Sequence, residues 1–350
     1  MPVKDNKRRR LTESEKLEQM ILVCELEHEH CLSRKEIALK LGYTEQHVGR
    51  ILKRAERRGI VEKTYKINRE HIDQLRVDLK SQFGLVDARI AASVPDAEGM
   101  RQVIAIEAAR YVDEIIDQHK SVGISGGRTL HRMIERLQLK RRPIKIYPMT
   151  GLWRDLRIGF IDSGALTFLL WLKCADSTAY WFPIEPIPPK TDRKQVLLHR
   201  ANYLANPEVK KIYNQACRVD LALIGVAALR RESTTIRQVK NIGIDYDYLT
   251  NAGAVGIAGG VWFKDNGEPV LKDDYFLSVP LDTFRQGAHD KRKKAVVIAG
   301  GDEKVLPMYV FLKKKLCNVV ITDARTAKLL LIRHQEPSQE VQAQYAKNST

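Results

Sequence analysis

A chain of 350 residues exceeds one average domain, and with 44% hydrophobic and 29% charged residues it has the material for a real core, which excludes a disordered chain. Its 59 Lys and Arg outnumber 43 Asp and Glu, a formal net charge of +16, and that excess fits a polyanionic partner, nucleic acid before a membrane surface. No run approaches the roughly 18 apolar residues of a membrane span, and no signal-type apolar segment follows the basic stretch MPVKDNKRRRLTES, so a cytoplasmic location and no membrane partner are expected.

Along the chain, Thr12 and Glu15 have capping-box spacing, and Leu17, Met20, Ile21, Cys24 and Leu26 recur at helical intervals, predicting a helix over about 13–28. Ser33 and Glu36 repeat the box before a shorter helix with Ile37, Ala38 and Leu41 on one face, and Gly42 supplies the turn. Thr44 can cap a third helix with Val48, Ile51 and Leu52 inward and Gly59 just past its end. The segment 60–67, IVEKTYKI, alternates as a small β-wing would.

Residues 33–61 thus have the form of a helix-turn-helix, of winged type if 60–67 folds back. The outward positions of the third helix are rich in Lys and Arg. Thr44, Gln46, His47 and Arg50, near its start, suit base edges, while Lys53, Arg54, Arg57 and Arg58 suit phosphates. Ser33, opening the second helix, joins the set expected to face double-stranded operator DNA.

Ile72, Leu75, Leu79 and Phe83 then form an apolar seam suited to a linking helix that makes a dimer contact. Beyond it, β-type runs such as KSVGISGG, DLALIGVA, AVVIAGG and NVVITD alternate with helical segments, the pattern of a mostly parallel, doubly wound α/β sheet. The expected organisation is a helix-turn-helix domain at 1–67, a linking helix at 68–84, a large α/β domain at 85–334 and a polar tail at 335–350.

Two Gly-containing loops of the large domain can receive an anion. Ser125, Gly126, Gly127, Arg128 and Thr129 stand between a short strand and a helix, where glycines admit a phosphate and the helix start favours negative charge. The Gly-Lys-Ser/Thr of a P-loop is missing, and a plain strand-to-helix turn would use the same residues. Gly300 and Gly301 end another apolar strand, with Lys304 in the next helical turn, where a cation is unfavourable unless an anion is present; an ordinary exposed lysine is the alternative. The five cysteines, Cys24, Cys31, Cys174, Cys217 and Cys317, are scattered and lack metal-ligand spacing, so neither a disulfide framework, a metal site nor a cofactor is expected.

Taken together, the RILKRAERRGIV ending of the helix-turn-helix, QFGL at 82–85, VGISGGRTL at 122–130, NAGAVG at 251–256, AVVIAGGDEK from 295 and NVVITDARTAKLLL to 331 resemble the SorC/DeoR-type sugar-responsive transcriptional regulators of bacteria. The resemblance implies a large domain similar to ribose-5-phosphate isomerase and glucosamine-6-phosphate deaminase folds, acting as a sensor of a phosphorylated sugar or related carbohydrate. It also implies homodimers or homotetramers on operator DNA. Carried over, the effector site draws on Ser125, Gly126, Gly127, Arg128 and Thr129, with Gly301 and Lys304 opposite and Gly151, Gly225 and Gly256 in neighbouring loops. Two departures stand out: the family often has an aromatic where Gly126 stands, and an acid where Ile257 and Ala258 follow Gly256. An enzymatic isomerase or deaminase would need a carboxylate with His or Lys beside the phosphate; Asp245, Asp247 and Asp302 are available, but no His/Asp constellation stands out, and a non-enzyme is expected. An effector-independent DNA-binding protein is the remaining alternative.

Overall fold

The computed structural model of the chain describes residues 12–30, 32–61, 70–151, 161–182, 191–240, 243–271 and 277–335, in one unit within 1–68 and a second within 69–350. Capping decides where the helices of the first unit begin. Helix α1 (Glu13–His28) opens on the reciprocal Thr12–Glu15 box and α2 (Arg34–Leu41) on the Ser33–Glu36 box. The hydroxyl of Thr44 accepts from the His47 N–H to start α3 (Glu45–Arg57), and Gly42, at φ 68°, turns the chain between α2 and α3. Met20, Val23, Ile37, Val48, Ile51 and Ala55 are among the residues that close one core. Of the stripe expected on α1, Met20, Cys24 and Leu26 are buried, whereas Leu17 and Ile21 stay exposed. The expected wing lies, from residue 62 on, outside the described residues, as does the tail beyond 335.

In the second unit, helix α4 (Glu70–Phe83) leads into strand β1 (Asp87–Ala91), α5 (Ala97–Ile115), β2 (Ser121–Ile124) and α6 (Arg128–Arg136). Strands β3 (Lys140–Arg141) and β4 (Lys145–Pro148), α7 (Ser163–Lys173), β5 (Cys174–Ala175) and β6 (Thr178–Ala179) follow. Next come α8 (Arg193–Ala205), α9 (Pro207–Ala216), β7 (Leu221–Ile224), β8 (Val226–Ala228), α10 (Thr234–Val239), α11 (Tyr246–Asn251), β9 (Ala254–Ala258) and β10 (Val261–Lys264). Helix α12 (Leu281–His289), β11 (Lys294–Ile298), α13 (Val305–Lys313), β12 (Val319–Asp323) and α14 (Ala324–Gln335) complete it.

The central sheet has the order β1-β12-β11-β7-β2-β4-β6, and every pairing in it is parallel. Its strands are apolar on both sides because helices cover both sides. Leu221, Leu223, Val296 and Ile298 pack with residues of α5, α6 and α7, while Ala222, Ile224, Val297 and Val320 pack with residues of α4, α9, α12, α13 and α14. A small antiparallel sheet, β10-β9-β8, has a satellite core around Trp262 and Leu249.

The α4 seam has a different use from the expected one. Leu75, Leu79 and Phe83 are buried in the unit's own core, and the Phe83 ring lies 4.6 Å from that of His334 on α14. Apolar spacing correctly marks a sticky face, and α14 and β1 pack on it within the same chain, while Ile72 stays half-buried.

Candidate functional sites

In the first unit the polar face of α3 is assembled by what the other face buries. Val48, Ile51, Leu52 and Ala55 point into the core, which leaves Gln46, Arg50, Lys53 and Arg54 exposed. Among the described residues no acid pairs with Arg50, Lys53 or Arg54. A groove lined by Arg34, Glu45, Gln46, Gly49, Arg50 and Lys53 runs along this face.

Some of the expected DNA contacts already have local tasks. Ser33 and Thr44 serve as helix caps, and His47 is half-buried with its ring edge-on to Tyr43 at 5.0 Å. Arg58 is held by Glu13 at 3.0 Å, while the side chain of Arg57 lies outside the described residues. Arg34, not expected in the set, enters the groove because the first position of α2 faces Gly49 on α3; its guanidinium would be 3.9 Å from a Cβ there.

In the second unit the chain runs from β2 outward to β4 and β6, then returns to β7 on the other side of β2 and continues outward to β11 and β12. That reversal makes the carboxyl ends of β2 and β7 the topological switch point, where a parallel sheet opens a crevice. Ser125 and Gly225 stand there. The Gly225 N–H donates to Ser125 Oγ at 2.8 Å, and a Cβ on Gly225 would lie 3.0 Å from the Gly126 carbonyl. Ser163 ties in the neighbouring strand: its hydroxyl donates to the Ile124 carbonyl and accepts from the Met149 N–H at 2.8 Å.

The glycines expected to donate to an anion mostly shape the rim. The Gly127 N–H donates to the Ile161 carbonyl (2.8 Å), Gly151 to Leu277 (2.9 Å) and Gly301 to Thr326 Oγ1 (2.8 Å). Gly127 has φ 145° and open space where a side chain would stand, and no side chain caps α6, so the first N–H groups of that helix face the opening. Gly126 cannot take the aromatic common in the resembling family, because a Cβ would meet the Ile161 carbonyl at 2.8 Å.

Gly256 departs from its expected loop. It lies within β9, paired with Ala228 and Phe263, and a Cβ there would lie 2.5 Å from Pro307 and 2.8 Å from the Ala227 carbonyl. It is a packing glycine, and Ile257 beside it joins the satellite core.

The last loop is braced by the Thr-Asp-x-x-Thr run. The Asp323 carboxylate, 1% exposed, accepts from Ser93 Oγ, from the Arg325 and Thr326 N–H groups and from the Thr326 hydroxyl, whose oxygen in turn accepts from Gly301. This network positions the turn Asp302–Lys304 ahead of α13. Desolvation holds Lys304 below the ordinary lysine value; nearby Glu303 opposes this, and the positive charges of Arg101, Arg128 and Arg230 reinforce it. Arg101 is paired with Glu98 at 2.8 Å, but among the described residues no carboxylate pairs with Lys304, Arg128 or Arg230. Arg101 and Arg230 were not foreseen: they belong to α5 and to the stretch after β8, and only folding brings them to Lys304.

Buried Ser125 and Thr129, the uncapped start of α6 and the charges of Arg128 and Lys304 are the groups that can hold a multiply charged anion. A helix-turn-helix unit joined to a parallel α/β unit with an anion crevice is the build of a ligand-responsive transcriptional regulator. The chain belongs to the Sugar-bind family of sugar-binding domains, whose model matches residues 68–332. It is 23% identical over 321 residues to the deoxyribonucleoside regulator of Bacillus subtilis, covering 91% of this chain and 98% of that protein. It is 25% identical over 339 residues to the sorbitol operon regulator of Klebsiella pneumoniae, covering 91% and 99%.

Among solved structures, the full-length sorbitol operon regulator SorC of Klebsiella pneumoniae matches with a TM-score of 0.68 at 22% identity, over 91% of this chain and all of that one. A DeoR family transcriptional regulator from Listeria monocytogenes matches with a TM-score of 0.62 at 19% identity, over 74% of this chain and 98% of that one. These likenesses are ones of fold. The protein is accordingly a SorC/DeoR-type transcriptional regulator with a sugar-binding domain, and no described helix is long and apolar enough to cross a membrane.

Proposed function

We propose that residues 1–67 hold operator DNA through the exposed face of α3 and that residues 85–334 bind a phosphorylated sugar or related carbohydrate, which changes the affinity for DNA. The observation that supports this reading is the switch-point geometry: buried Ser125, Gly225 and the uncapped start of α6 stand at the carboxyl ends of β2 and β7, with Arg128 opening α6 and the desolvated Lys304 on the loop after β11. Desolvation and the positive charges of Arg128 and Arg230 disfavour the Lys304 ammonium, and a phosphate dianion would offset both. Thr129 and the start of α6 supply donors.

The protein senses this ligand and does not turn it over. The acids that a sugar-phosphate enzyme would draw on have other partners: Asp302 is bound to Arg325 (2.6 Å), Asp247 to Arg231 (2.6 Å), and Asp245 caps α11. Reading paired half-sites calls for a homodimer or homotetramer. A thermal-shift screen of pentose, hexose and hexitol phosphates against their unphosphorylated parents tests the reading: selective stabilisation by a phosphorylated member is expected, and equal response to both sets would overturn it.

A further inference from the structure

The oligomer in that reading needs a face, and the α4 seam is buried. We infer that the outer surface of α7, with Leu139 and Trp181, is where a second copy of this protein docks. Every exposed Phe or Trp among the described residues is found there: Phe168 (53% exposed), Trp171 (40%) and Trp181 (66%), with Leu172 (51%) and Leu139 (71%) completing the patch.

The rings of Phe168 and Trp171 are 5.7 Å apart, and Trp171 is pinned by its indole N–H, which donates to the Ser177 carbonyl at 3.2 Å. Leu139 immediately precedes β3, which pairs with β5 at the end of α7. Ala179 packs on the α7 side of the sheet while Tyr180 and Phe182 enter the opposite core, so alternation returns Trp181 to the α7 side.

Five large side chains at these exposures leave on the order of 500 Å² of apolar surface, near the upper end for a monomer. A stable interface buries about 800 Å² per partner, so this face supplies most of one side. Its charge selects the partner. Residues 163–172 carry no ionised side chain, Lys173 donates into its own chain at the Glu135 carbonyl, and Arg141 and Asp176 neutralise each other at the rim at 2.7 Å. In a protein of net charge +16, a face this poor in charge, with Lys140 beside Leu139 at its edge, is where two copies meet at little like-charge cost, and a two-fold contact sets the same apolar patch against itself.

Sedimentation of the full-length protein at about 10 μM tests this, comparing wild type, Phe168→Glu, Trp181→Glu and the exposed α4 variant Val77→Glu, with far-UV circular dichroism as the check on folding. Wild type and Val77→Glu should sediment well above the 40.0 kDa chain mass. Phe168→Glu and Trp181→Glu should each weaken association by at least about 30-fold, as expected for interface aromatics, and yield the next smaller species. Should Phe168→Glu misfold, Trp181→Glu decides the matter, since its ring is mostly outside its own chain. Unchanged association in a folded Trp181→Glu protein would overturn the α7 face while leaving the oligomer standing. A monomeric wild type would overturn both, and would leave DNA and effector binding to their own tests.

Discussion

Lys304→Met removes one charge at nearly constant volume and separates the two tasks this side chain could have. If Lys304 were an ordinary structural lysine, its loss would leave the unliganded protein the same or weaker. Because desolvation and the positive charges of Arg101, Arg128 and Arg230 disfavour its ammonium form, its removal should instead raise the melting temperature of the unliganded protein. Effector binding should move the opposite way. A lost charge-assisted hydrogen bond costs about 1.5–3 kcal/mol, or roughly 10- to 150-fold in Kd. A sugar phosphate at about 100 Kd stabilises wild type by about 2.7 kcal/mol; after a 100-fold loss the same concentration gives about 0.4 kcal/mol.

Proton linkage has a definite sign. The pKa of Lys304 is lowered on folding, so its unfavourable charge is fully present below that value, and stability rises with pH from there to the ordinary value of 10.5. Anion binding favours the ammonium form, so effector affinity should fall across the same window with proton uptake, measurable by calorimetry in buffers of different ionisation enthalpy. A Lys304→Met protein that melts lower than wild type yet keeps its ligand shift and proton uptake would refute the reasoning.

Three further substitutions test the assignments residue by residue. Arg50→Ala should weaken binding to a selected DNA site by about 1–3 kcal/mol and relax preference at one base, whereas Arg54→Ala should mainly lower the salt slope, by about one; titrations at several salt concentrations against matched and mismatched sites check this. Gly256→Ala should destabilise the second unit by about 1–3 kcal/mol through contact with Pro307 and the Ala227 carbonyl, leaving the effector Kd of the folded protein near wild type; a selective loss of effector binding would return Gly256 to the site.

Much of this was legible in residue order because the deciding interactions are local. Thr12 with Glu15, Ser33 with Glu36, and Gly42 specify caps and a turn within a few residues of themselves, and the apolar runs of β2, β7, β11 and β12 can be buried only from both sides. Less legible was anything set by a distant partner. The spacing of Ile72 to Phe83 marks a sticky face but does not say that α14 covers it. Gly256 follows an apolar run as a loop glycine would, and only the approach of Pro307 shows that it is a strand residue kept small. Likewise, Lys304 is one lysine among many until the fold sets it near Arg101, Arg128 and Arg230.

The central claim is that one anionic effector in the switch-point crevice governs DNA affinity. Its most direct test is a reciprocal titration: DNA affinity with and without saturating sugar phosphate, and sugar phosphate affinity with and without DNA, for wild type and Lys304→Met. Linkage predicts the same factor in both directions, of about 5- to 150-fold, in wild type, and a much smaller response in Lys304→Met at the same ligand concentration. A DNA affinity that every phosphorylated sugar leaves unchanged, or a wild-type response that survives intact in Lys304→Met, would contradict the account.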